Sequence, residues 1–122
     1  LMMLPFSAQA EGARLVLTCT EQARCDASGA CVAEGDSVSL TIAPERTDDL
    51  GAGTYTVTSA GGTFAARALE RTGPFLWDDG DALRHVLTLT SERGAVLIRF
   101  ALPSAAAPSM PEAGFLDCEV TY

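Results

Sequence analysis

Hydrophobic and polar positions alternate along most of this chain with a period of two, and no stretch sustains the period of a helix. Leu15, Leu17 and Cys19 alternate with Val16, Thr18 and Thr20. Successive side chains of a strand point to opposite faces, so the pattern predicts a strand with one buried face. Val38, Leu40 and Ile42 alternate with Ser37, Ser39 and Thr41 and predict a second strand. Pro44 is expected to end it, since proline has no N–H to give a ladder. Residues 47–53 read as a turn, and 54–58 as a third strand with Tyr55 and Val57 on one face. Ser59-Ala60-Gly61-Gly62 reads as a hairpin turn, because glycine accepts positive φ. Residues 63–69 then return as a fourth strand, although their alanines leave a short helix as the alternative.

Pro74-Phe75-Leu76-Trp77 predicts a short fifth strand, and Asp78-Asp79-Gly80-Asp81 a turn. Residues 85–90 predict a strand, and Glu92-Arg93-Gly94 reverses the chain. Val96, Ile98, Phe100 and Leu102 alternate with Leu97, Arg99 and Ala101 in a further strand. Pro103 to Gly114 carries three prolines and reads as an extended loop. Leu116, Cys118, Val120 and Tyr122 share one face of the last strand. Seven or eight short strands joined by turns predict a single all-β domain, an antiparallel barrel or sandwich. Pairing the first strand with the last would remove both sheet edges.

The four cysteines sharpen this picture. Cys19 and Cys118 lie on the apolar parity of the first and last strands, while Cys25 and Cys31 bracket a segment rich in turn formers, Asp26, Ser28 and Gly29. An even count in a short chain reads as a disulfide framework with three possible connectivities. The favoured pairing is Cys19–Cys118 with Cys25–Cys31. Zinc sites usually space paired cysteines two to four apart, and five residues intervene here, so the spacing speaks against metal.

Charge narrows the partners. The 122 residues hold 8 basic and 16 acidic side chains, a net charge of −8, and every basic residue is arginine. That balance repels nucleic acid and anionic membranes and attracts cationic partners. A hydrophobic fraction of 48% suits one packed core. Residues 1–10 are uncharged and end in Ala8-Gln9-Ala10, which reads as the remnant of a truncated signal peptide cleaved before Glu11. Residues 11–122 are then one domain, periplasmic or secreted and monomeric. No stretch is long and apolar enough for a membrane helix, so no membrane insertion is expected.

Candidate chemistry is sparse. Asp78, Asp79 and Asp81 offer carboxylates on one turn, and calcium binding there is the alternative to ordinary turn chemistry. His85 is the lone histidine; it shares parity with Leu87 and Leu89 and is expected to be structural. Trp77, Phe75 and Tyr55 suit a core, or the lining of a small cavity. Arg67 and Arg99 are expected to face solvent, with an inward arginine lining a pocket as the alternative. No nucleophile–base pair, cofactor motif or metal set stands out, so no enzyme, cofactor or resident metal is expected.

Two stretches carry a resemblance. Ser59-Ala60-Gly61-Gly62-Thr63-Phe64 is similar to a Ser-Gly-x-x-Tyr stretch, and Trp77-Asp78-Asp79-Gly80-Asp81-Ala82-Leu83 to a Trp-x-Lys-Gly-x-x-Ala-x-Leu stretch. With the early and late cysteines and the export signal, the chain resembles the membrane-bound lysozyme-inhibitor family, small eight-stranded barrels that inhibit C-type lysozyme. Asp79 stands near the place of that family's lysine, the serine is displaced by one residue, and the Cys25–Cys31 loop is extra. The resemblance implies an exported, non-enzymatic binding module acting on lysozyme, with Ser59 and Trp77 among its binding residues; the net charge of −8 and the acidic turn add a preference for a cationic protein and Asp78, Asp79 and Asp81 as binding residues. The alternatives are a small-ligand carrier with a barrel cavity, or an accessory protein of the cell envelope.

Overall fold

The computed structural model describes residues 14–33, 35–80, 82–103 and 111–122. Among these the regular elements are strands: β1 (Leu15–Asp26), β2 (Cys31–Val32), β3 (Ser37–Thr47), β4 (Gly53–Ser59), β5 (Gly62–Ala68), β6 (Phe75–Asp79), β7 (Leu83–Leu89), β8 (Gly94–Ala101) and β9 (Glu112–Thr121). The ladder runs β1-β3-β4-β5-β6-β7-β8-β9, all antiparallel, and β9 pairs back onto β1. The sheet is therefore a closed eight-stranded barrel, with β2 as an extra strand on β1. No helix of the described residues is long and apolar enough to cross a membrane.

Closure follows from the length of β1. Its first half lies between β3 and β9, with Leu17 opposite both Leu40 and Val120. Its second half passes beyond β3, and there β2 takes over on the same side, setting Cys25 opposite Cys31. Cys19 faces Cys118 across the closing seam, and the two sulfurs bond at 2.02 Å; Cys25 and Cys31 bond at 2.08 Å. Both expected disulfides are present, and they fit an oxidising compartment. Asp26 shapes the small loop by accepting the N–H groups of Ser28 and Ala30 and the Ser28 hydroxyl.

The alternation read from the sequence becomes the wall of the barrel. Leu17, Ile42, Val57, Phe75 and Leu87 point inward and are fully buried. Tyr55 packs edge-on against Phe75 with ring centroids 5.1 Å apart, and its hydroxyl donates to the Gly51 carbonyl at 2.6 Å. In a barrel of eight strands the interior is just wide enough for such side chains to fill it.

The structure differs from the sequence reading in several places. Pro44 does not end its strand. β3 continues to Thr47 with Pro44 opposite Tyr55, and a register shift follows between Pro44 and Arg46. The missing N–H is accommodated at this irregularity, since bulges are among the places where strands tolerate proline. Residues 63–68 are strand, which disposes of the helix. The segment Pro103–Gly114 is not all loop, since Glu112, Ala113 and Gly114 open β9; residues 104–110 lie outside the described residues. Asp78 and Asp79 belong to β6 rather than to a turn, and Gly80 makes the bend at φ +63°. Arg99 faces inward at one end of the barrel, with a side chain only 19% exposed.

Candidate functional site

One end of the barrel gathers most of the polar groups that the wall aims inward. The tight β4–β5 turn brings Ser59 there, opposite Gly62, which sits at φ +135°. Ser59 Oγ accepts the Gly61 N–H at 3.2 Å, fixing the turn. Trp77 on β6 lies opposite His85 on β7, and Arg99 on β8 lies opposite His85 on its other side. Trp77 and His85 stack face to face with centroids 5.0 Å apart and planes 9° from parallel. Two residues beyond Trp77, Asp79 returns to the same face, and its Oδ2 is 3.5 Å from His85 Nε2. These groups line a recess of about 200 Å³, with Val38, Leu40 and Leu97 as its apolar wall.

Beside the recess lies a buried charge. Glu21 is fully buried on the inward parity of Leu15, Leu17 and Cys19. Its Oε1 accepts from Arg24 Nε and Nη2, and its Oε2 lies 3.5 Å from Arg99 Nη1. Residues three apart on a regular strand point to opposite faces. Here the β1–β9 register shifts between Glu21 and Ala23, and this bulge returns Arg24 to the side of Glu21. Across β9, Gly114 leaves the volume that the carboxylate fills: a Cβ there would run into Glu21 Oε2. Burying a charge is tolerable only when it is paired and hydrogen-bonded, and two arginines meet that condition.

His85 has no such support. Both ring nitrogens are buried without a well-formed hydrogen bond, and Nε2 has only the 3.5 Å contact with Asp79. Burial therefore holds the imidazole below its usual pKa of 6.5; Asp79 pulls it back up, Arg99 pushes it further down, and Asp78 opposes weakly. The unfolded chain takes up this proton at a higher pH than the folded one does. The stability conferred by neutral His85 is thus fully present above about pH 6.5 and declines as pH falls toward the lowered value. Asp26, Asp48 and Asp78 are held below 3.8 by hydrogen bonds from Ser28, Ala52 and Arg84 respectively, so their contributions fade only in a separate, more acidic window. Urea midpoints measured between about pH 7.5 and 5 should fall for the wild type and stay flatter in His85→Phe. Equal slopes for the two proteins would mean that His85 is not the group responsible.

Of the residues singled out from sequence, Ser59, Trp77 and Asp79 meet at this recess. Asp78 does not join them. Strand alternation turns it outward, where Arg84 binds it through Nε at 2.6 Å and Nη2 at 3.1 Å. Asp78 and Asp79 lie on opposite faces of β6, and the third carboxylate of the calcium alternative, Asp81, lies outside the described residues. His85, Arg99 and Glu21 are the site residues that sequence reasoning missed. For Glu21 a signal existed, since an acid follows Leu15, Leu17 and Cys19 on the same parity. No hydroxyl or thiol among the described residues hydrogen-bonds His85. We found no protein-family model, no curated protein and no solved structure that matches this chain.

Proposed function

We propose that this barrel is an exported, non-catalytic binding module that docks a cationic protein at the end carrying Ser59, Trp77, Asp79 and His85. The observation that carries the reading is the state of Asp79. The carboxylates around it are spoken for, Asp78 by Arg84 and Glu21 by Arg24 and Arg99. Asp79 is 42% exposed on the rim of a concave site, and its one ion-pair contact among the described residues is a desolvated histidine. An uncompensated carboxylate at a pocket mouth, on a chain of net charge −8, favours a cationic partner both by long-range steering and by direct pairing.

Two further features support it. The two stretches that resemble the lysozyme inhibitors, at Ser59 and at Trp77, come to this same end of the barrel. With Asp79 near the position of that family's lysine, the charge offered is reversed, so this module would receive a partner's cation rather than insert one. The disulfides and the apolar leader-like residues 1–10 support export to a periplasmic or extracellular space. The reading as a carrier with a cavity inside the barrel has less behind it, because the interior is occupied by the barrel's own side chains.

The test is binding of the oxidised protein to a set of cationic proteins that includes a C-type lysozyme. Binding should be readily measured at about 0.01 M salt and collapse at about 1 M, where the Debye length shrinks to about 3 Å. Asp79→Asn should weaken it about tenfold or more, as loss of a charge-assisted contact does. Absence of binding at low salt, or binding indifferent to salt, would overturn the proposal.

A further inference from the structure

The recess has a shape and an acceptor set that say more than "cationic". Its volume of about 200 Å³ equals that of about six or seven waters, at roughly 30 Å³ each, which is room for one long side chain and not for a folded segment. The wall formed by Val38, Leu40 and Leu97 is apolar and suits a methylene stem. The polar lining of the recess includes the Asp79 carboxylate, the side chains of Ser37, Ser39 and Ser59, and Arg99, with His85 beside Asp79. Glu21, 3.5 Å from Arg99 Nη1, offsets part of that arginine's charge.

Resting on the docking reading above, we infer that the recess is the acceptor for a single arginine side chain of the partner, its guanidinium on Asp79 and its methylenes along Val38 and Leu97. A guanidinium fits better than an ammonium for two reasons. Its planar fork of donors can reach a carboxylate and further acceptors at once, where an ammonium is a compact point charge. It is also more weakly hydrated, so entry into a half-apolar recess strips less water from it. His85 then acquires a role. While neutral it leaves the Asp79 carboxylate free to pair with the guanidinium; once protonated it adds a positive charge beside Asp79 and opposes the ligand. The groups that face this switch are Asp79 and Trp77 from β6 and Arg99 from β8, with Asp78 acting from the outer face.

The probe is Nα-acetyl-arginine amide, with its citrulline counterpart as the uncharged isostere and the lysine amide as the ammonium comparison. Titration into isotopically labelled protein, followed by NMR, should give saturable shifts at Ser59, Asp79 and the His85 ring. The citrulline amide should give none, and the lysine amide should bind several-fold more weakly. Asp79→Asn should weaken the arginine amide about tenfold or more while leaving the urea midpoint close to wild type. Asp49→Asn, in the loop at the opposite end of β3, should leave binding unchanged. Lowering the pH through the titration of His85 should release the amide from the wild type, an arm that needs no variant. Shifts that are absent, matched by citrulline, or insensitive to Asp79→Asn overturn the recess assignment, even if the protein still binds cationic proteins through another surface. Saturable arginine binding without any cationic-protein complex would instead leave the recess standing and remove the docking reading.

Discussion

Replacing Cys19 and Cys118 together by alanine should lower the stability of the oxidised protein by about 4–5 kcal/mol, the largest single effect expected for this fold. The bond closes a loop of sequence separation 99, while Cys25–Cys31 closes one of separation 6. In the chain-entropy account a cross-link stabilises by restricting the unfolded ensemble, and the restriction grows with the logarithm of loop length. The same arithmetic gives about 2 kcal/mol for the small loop. A domain of this size has net stability of about 5–15 kcal/mol, so losing the long bridge brings it near the folding threshold while losing the short one does not. The location adds to the contrast. Cys19–Cys118 lies across the β1–β9 seam with both residues nearly free of solvent, whereas Cys25–Cys31 staples an exposed loop outside the barrel. Urea unfolding of the two double-alanine proteins and the wild type would decide the matter. The long-bridge variant should lose at least twice as much as the short-bridge variant, and an equal loss would show that the seam does not depend on its sulfur cross-link.

The barrel was legible from sequence because its information lies in parity. A period-two alternation names most strands and their inward faces, as Leu15, Leu17, Cys19 and Leu40, Ile42 show, although β8 buries Ala95 and Leu97 rather than Val96 and Ile98. The same parity placed the two cysteines on the inner face. What parity cannot show is which strand ends meet. Ser59 and Trp77 are 18 positions apart, and nothing local says that their turns line one mouth; the resemblance to the lysozyme inhibitors was the only pointer, and it grouped Asp78 with Asp79 although alternation separates them. Arg99 was misread because charge within an apolar strand normally signals the solvent face. Its inward position becomes understandable only with Glu21 beside it, a partner 78 residues away. Pro44 was misread because the rule against proline in a ladder has an exception at bulges, and the register against β4 shifts between Pro44 and Arg46. Each error has one source: a local rule whose exception is set by a distant strand.

The second large effect should come from the buried carboxylate, and it takes the form of a reversal of sign. Glu21→Ala should cost about 3 kcal/mol, at the lower end for breaking a buried pair, because Arg24 and Arg99 keep 29% and 19% side-chain exposure and water screens part of what they lose. Gly114→Ala in the wild type should cost about 1–3 kcal/mol, since its methyl group would meet Glu21 Oε2 in a space with no slack. The Gly114 backbone has no positive φ, so alanine is otherwise at ease there. Once Glu21 has become alanine the obstruction is gone. Gly114→Ala should then stabilise by roughly 0.5–1 kcal/mol, the ordinary gain on replacing glycine inside a strand. The two substitutions are therefore strongly non-additive, as expected for residues that share one volume. Urea midpoints and m-values for the two single variants and the double variant complete the cycle. Additive losses would mean that Gly114 is small for a reason other than Glu21, and that the carboxylate does not occupy the space which the β1 bulge and the β9 glycine create between them.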